Sequence, residues 1–380
     1  MDNDTKSRPS LHRFYMLCPA AHTAALISSL VIVLHLLTRH DHALMAALSE
    51  AVIRPLHAFL ARASSAVSFS VAELLITALS AAVIARLSWG LVRLIRRRSD
   101  RRRCCRLFMG LAATGLTVYA LYCALWGVYY YGDDFSARSG LSDEPVSTAQ
   151  LETVTAYFAG LANEYSEKVA RDENGFYVCD RERIIEASAT LFDSVVETLP
   201  CLAGPRVPVK PILLSRGLSY LDFTGFFFPM TGEANVNTDF PPGLFASTVA
   251  HELSHQRGVA KEQEANFTAV LACMSSGDAD FCYSAALLAY THLGNALYSA
   301  DHAAWEKIYS QLNENIKRDF ARDRAYWQQL ETPGQSVSNT VYEGVLQSYG
   351  QELGMKSYGA CVDLLVNYYC AAAQRYAETQ

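Results

Sequence analysis

The sequence predicts an α+β protein: three transmembrane helices at the N-terminal end, then a mainly helical domain with a small β-sheet. Three observations carry this. Stretches at about 17–37, 70–94 and 107–129 are apolar and long enough to cross a bilayer. An arginine-rich loop separates the second from the third. Beyond residue 130 the chain turns polar, acidic and aromatic, with helical periodicity on both sides of one β-rich stretch.

A length of 380 residues allows two units. We divide the chain into a membrane region, 1–130, and an extracytoplasmic domain, 131–380. The chain's net charge is −6, and its acidity lies in the second part, so no nucleic-acid partner is expected. The arginines at 96, 97, 98, 101, 102, 103 and 106 read as a topology signal that keeps their loop in the cytoplasm. Lys6, Arg8 and Arg13 then place the N-terminus inside as well. The first span reads as a retained anchor, because its apolar core is long and more spans follow. The expected location is the inner cell membrane, with the bilayer as a partner.

Between the first two spans, 43–63 reads as an amphipathic helix with Leu44, Leu48, Val52, Leu56 and Leu60 on one stripe. It is expected on the outer membrane surface or packed on the spans. Tyr129-Tyr130-Tyr131 has the character of an interfacial aromatic belt. Helices are expected at 148–169 and 181–199, and Pro205, Pro208 and Pro211 mark a linker. Three β runs follow at 212–214, 226–228 and 234–237, with Gly217, Gly225 and Gly232 as turns. Further helices are expected at 281–300, 303–329, 340–352 and 357–377. Six of the ten cysteines lie beyond residue 131, which permits disulfides between neighbours, Cys179–Cys201, Cys273–Cys282 and Cys361–Cys370.

Helical periodicity from Leu244 carries His251-Glu252-Leu253-Ser254-His255, and Gly258 is placed to end that helix. Two histidines four residues apart share one helix face and can grip one zinc ion. Glu252 can act as general base on zinc-bound water. A third ligand is expected from Glu262, with Glu264 as the alternative. On a second helix starting near Lys261, Glu262, Ala265, Asn266 and Ala269 share a face, whereas Glu264 points roughly 200° away from Glu262. Ala265 would let the two helices approach, and Asn266 could orient a ligand histidine. Glu233, Ala234, Asn235, Val236 and Asn237 are expected as an edge strand that pairs with an extended peptide. Tyr358, Tyr349 and His292 are candidate oxyanion stabilisers.

The chain resembles a bacterial family of membrane-anchored proteins, the domain-of-unknown-function 3810 family, grouped with zincin-like metallopeptidases. The resemblance rests on residues 228–237, then 251–258, then Glu262-Gln263-Glu264-Ala265-Asn266-Phe267. Weaker echoes are Ser68-Phe69-Ser70, Tyr130-Tyr131 and Ser357-Tyr358-Gly359. It implies a zincin-like α+β domain on three spans. Glu262-x-x-Ala265-Asn266 is also similar to the Glu-x-x-Ala-Asp segment of membrane zinc peptidases of the heat-shock type, which implies Glu262 as ligand. The expected activity is that of a membrane-anchored zinc metallopeptidase, one Zn²⁺ per chain, acting on extracytoplasmic peptides or envelope proteins. The alternative is a non-catalytic sensory membrane protein whose zincin fold binds peptide or metal; the intact Glu252 favours the enzyme.

Overall fold

The computed structural model describes residues 15, 17–96, 100–331, 340, 344 and 359–379. It is mainly helical, with one three-stranded sheet. Four helices come first: α1, Pro19–Thr38; α2, His42–Ser64, with a π-turn at its centre; α3, Val71–Ile95; and α4, Arg101–Leu125. All four are long and apolar enough to cross a membrane, one more than the three expected, because α2 also passes on length and hydropathy. These helices fit a membrane protein.

Contacts along these helices fix their relative directions. α1 and α4 run parallel: Arg106 Nε donates to Leu17 O at 3.0 Å, Ser28 pairs with Thr117 at 3.1 Å, and Arg39 Nη1 donates to the Tyr131 hydroxyl at 3.1 Å. α3 is antiparallel to α4, since Gly90 lies against Leu107 and Gly110 against Arg86. The end of α1, the end of α4 and the start of α3 therefore lie at one level. α2 joins the first of these to the last.

The remaining chain forms α5 (Phe135–Ser139), α6 (Thr148–Ser166), α7 (Arg181–Ala187) and α8 (Asp193–Thr198). Then come β1 (Lys210–Pro211), α9 (Ser215–Ser219), β2 (Gly225–Phe228) and β3 (Glu233–Val236). α10 (Phe245–Gln256), α11 (Glu262–Ser276), α12 (Ala279–Ala300), α13 (His302–Ser310), α14 (Glu314–Gln328) and α15 (Gly359–Ala377) complete it. Local signals set many of these boundaries. Ser147 and Gln150 form a capping box at α6. Asp278, Asp301 and Asn313 cap α12, α13 and α14 with their side chains. The last of these caps splits the single helix expected at 303–329. The helix expected at 181–199 is also broken, by a 3₁₀ turn at Ser188–Thr190. The helix expected at 340–352 lies outside the described residues.

One large core joins α6, α10, α11, α12 and α15, with Phe158, Phe245, Phe267 and Phe281 fully buried. Each such side chain contributes about 1.5–3 kcal/mol by leaving water. A second cluster joins α2 to the end of α4 through Met45, Ile53, Trp126, Val128, Tyr129 and Ala260. α2 is also tied to the later chain by Arg54, which donates to the carbonyls of Cys201 and Ala203 at 2.6 Å. Tyr129 is buried and Tyr130 half-buried, so only part of the expected aromatic belt faces outward.

Two expectations need correction. The three neighbour disulfides are not formed; all ten cysteines are free thiols, and Cys282 Sγ instead donates to Cys273 O at 3.5 Å. The expected edge strand is the central one. The strand order is β1-β3-β2, with β3 parallel to β1 and antiparallel to β2, so Asn235 and Val236 are flanked on both sides, and Glu233, Ala234, Asn235 and Val236 are all buried. Ala234 and Val236 join the large core, while the Glu233 and Asn235 side chains hold the start of α3. The Glu233 carboxylate accepts from the first backbone N–H groups of α3, Val71 at 3.1 Å and Ala72 at 2.6 Å, and pairs with Lys210 at 2.6 Å. Ser70 donates to Asn235 at 2.6 Å. Asn237 is buried too, donating to Ser219 and to Phe223 O. A carboxylate at a helix N-terminus fills donors that otherwise lack partners, so this strand fastens α3 to the sheet.

Candidate metal centre

α10 is almost wholly buried, which explains its composition. Phe245, Val249 and Leu253 lie one face apart from the histidines, while Ala246 and Ala250 let neighbours come close. Gly258 ends it at φ +80°, with Gly258 N bonded to His255 O and Val259 N to Ser254 O. A side chain at Gly258 would also strike the Tyr129 ring, 2.8 Å from the missing Cβ. After this turn Lys261 opens α11, held by Asp134 at 2.8 Å.

The turn folds the start of α11 back onto the histidines. His251 Nε2 lies 3.0 Å from His255 Nε2 and 3.1 Å from Glu262 Oε2; His255 Nε2 lies 3.6 Å from the same oxygen. Each ring's other nitrogen is committed. His251 Nδ1 donates to Asn266 Oδ1 at 2.8 Å, and His255 Nδ1 donates to Val259 O at 2.7 Å. Both lone pairs on Nε2 therefore point at one spot shared with a carboxylate. Two such lone pairs cannot face each other at this distance without a cation between them. A proton serves in the metal-free protein: burial lowers the His255 pKa, but Glu262 more than reverses this and lifts it to about 9. Burial acts against the Glu262 carboxylate as well, yet His255 and His251 hold it well below the usual range.

The donors fit zinc. Three ligands about 2.1 Å from a tetrahedral ion stand roughly 3.4 Å apart, and His-His-Glu with one open position is a catalytic ligand set. The three observed separations bracket that value. Ala265 is fully buried where the two helices meet. Glu264 does not join this cluster. It is buried on another side of α11, accepting from Phe135 N at 3.1 Å with Lys261 at 3.6 Å, and burial pushes it up to about 7.

Glu252 is buried beside the cluster, and its Oε2 has no hydrogen-bond partner among the described residues. Desolvation raises it to about 7 against the pull of both histidines. Gly225, at the start of β2, is what lets the sheet approach it: a Cβ there would fall 2.7 Å from Glu252 Oε1 and 2.8 Å from Asn235 O. The free edge of the sheet beside Glu252 is thus β2, among the described residues, and not the strand expected from the sequence. A glycine before Phe226-Phe227-Phe228 reads as a turn in the sequence, which hides this role.

His292 is buried on α12; desolvation first, and then His251, lowers it to about 4, so it is neutral near pH 7. Tyr349 and Tyr358 lie outside the described residues. Sequence reasoning missed the residues after α4. The Trp126 ring stands edge-on to His255, with centroids 5.7 Å apart, and donates from Nε1 to Tyr130 at 3.2 Å. Burial, then Tyr122 and the Glu262 charge, raise the Tyr130 hydroxyl well above its usual range. A helix long and apolar enough to cross a membrane therefore ends against the His251–His255–Glu262 cluster.

The family described as protein of unknown function (DUF3810) matches residues 49–366, and the chain belongs to it. No curated protein and no solved structure matches the chain.

Proposed function

We propose that this member of the DUF3810 family is a membrane-anchored zinc metallopeptidase with a zincin-like catalytic unit on the extracytoplasmic side. The observation that carries the reading is the convergence of His251 Nε2, His255 Nε2 and Glu262 Oε2 with both histidine tautomers fixed from behind. Zinc, when bound there, would polarise a peptide carbonyl and make water acidic near neutral pH. Glu252, raised to about 7, is matched to taking a proton from water and handing it to the leaving amine. Its unpartnered Oε2 is the atom that does so. β2 offers backbone groups to an extended peptide. Neutral His292 is a donor for the developing oxyanion. In the proposed topology α1, α3 and α4 cross the bilayer, and α2 lies along its outer face beneath the catalytic unit. Support comes from the shared level of the α1 end, the α4 end and the α3 start, which a crossing α2 would break. The arginines at the opposite end of α4 favour a cytoplasmic loop.

The test is metal analysis and peptide-library cleavage by the full chain in detergent, beside Glu252→Gln. One zinc per chain is expected in both proteins, with hydrolysis lost by at least about 10³-fold in the variant. Equal hydrolysis by the two would sink the reading.

A further inference from the structure

We infer that the segment after β1 rests in the membrane interface and holds the β2 edge at the bilayer surface, so that the site takes extended polypeptide close to its own membrane anchor. The substrate class rests on the peptidase reading above; the membrane contact does not.

Leu213 and Leu214 are 82% and 59% exposed, far more than an ordinary loop leaves two adjacent leucines. Tyr220 and Leu221, at the far end of the same segment, are exposed too, and the Arg216 guanidinium lies over the Tyr220 ring. Leucine, tyrosine and arginine together are the composition of an interfacial patch. The level of this patch is fixed by α3. Glu73, in the first turn of that helix, accepts from Leu213 N at 2.9 Å and Leu214 N at 2.7 Å. The two leucines are thereby tied to the point where a membrane-length apolar helix begins. Phe69, just before that helix, is exposed as well. The occupant that suits a patch continuous with α3 is the bilayer that α3 enters.

The same anchoring sets the height of the site. Ser70 bonds Asn235 on β3, and Asn235 pairs with Phe226 on β2. A peptide added outside β2 would lie two strand spacings, roughly 10 Å, from Asn235. On the other side Trp126, at the end of α4, abuts His255. The site is bracketed by the start of α3 and the end of α4 at one level. An extended chain rises about 3.3 Å per residue, so an anchored substrate reaches this site within about three to six residues of the bilayer.

The experiment uses the full chain in phosphatidylethanolamine–phosphatidylglycerol vesicles. A fluorescent amino acid is placed at Leu213 or, as control, at exposed Glu306, with lipids brominated near the headgroup as quencher. Emission from position 213 should fall by about half and that from 306 should not change. No quenching at 213 would overturn the membrane contact. In the second arm, degenerate peptides carrying a palmitoyl anchor are digested and the cut sites mapped by mass spectrometry. Cuts should cluster within about ten residues of the anchor, and the Leu213→Asp, Leu214→Asp double variant should spread them while retaining zinc. Cuts spread evenly by the unmutated chain would overturn the substrate class. Zinc binding without any cleavage would refute the peptidase reading and the substrate class with it, leaving the membrane contact to the quenching result.

Discussion

Zinc binding should become tighter as pH rises from 7 to 9, because the metal must displace the proton that His255 shares with Glu262. The sign follows from the geometry. The metal-free His255 titrates at about 9, above the ordinary 6.5, so at pH 7 it is almost fully protonated, and only its neutral form has a lone pair to offer. Two units of displacement weaken apparent affinity about 100-fold at pH 7, or roughly 2.7 kcal/mol, relative to the plateau. Affinity should rise about tenfold per pH unit and level off near pH 9. Competition with a fluorescent chelator in metal-buffered detergent solution measures this directly. In Glu262→Gln the carboxylate that held the proton is gone and burial acts on His255 against only Glu252 and the Val259 carbonyl, so the slope above pH 7 should flatten. The plateau should also fall by at least about 10–100-fold through the lost ligand. Glu264→Gln serves as control and should stay within a factor of about two, since its partners are Phe135 N and Lys261. A flat wild-type profile between pH 7 and 9 would refute the shared-proton argument, and a larger loss in Glu264→Gln would move the ligand.

Three further outcomes are expected. Gly225→Ala should cost about 1–3 kcal/mol by overpacking, because its Cβ meets Glu252 and a β3 carbonyl; activity should drop more than zinc affinity, as read by thermal unfolding and metal titration. Glu233→Ala should destabilise by about 3–5 kcal/mol, since Lys210 is left buried without its ion-pair partner and α3 loses its cap. A change confined to KM with stability unaltered would return Glu233 to substrate binding. Reporter fusions after residue 100 and after residue 140 should report opposite sides of the membrane, and matching signals would overturn the proposed topology.

The parts governed by short-range rules were legible in the chain alone. Apolar length marked α1, α3 and α4. Helical spacing put His251 and His255 on one face, and Gly258 marked the end of their helix. Spacing within α11 separated Glu262 from Glu264 and put Asn266 beside the histidines, because those are angles along one helix. Which strand is the edge was not legible there and emerged from the folded protein. Sheet order is set by contacts between residues far apart, and Glu233 and Asn235 are buried by β1, β2 and the start of α3 together. The fold also decided that Trp126 and Tyr130 turn inward. An aromatic run after a long apolar helix looks the same in sequence whether it faces outward or packs on a cluster of histidines and a carboxylate. What settles it is the packing of α10 and α11 against the end of α4, which no periodicity within either segment encodes.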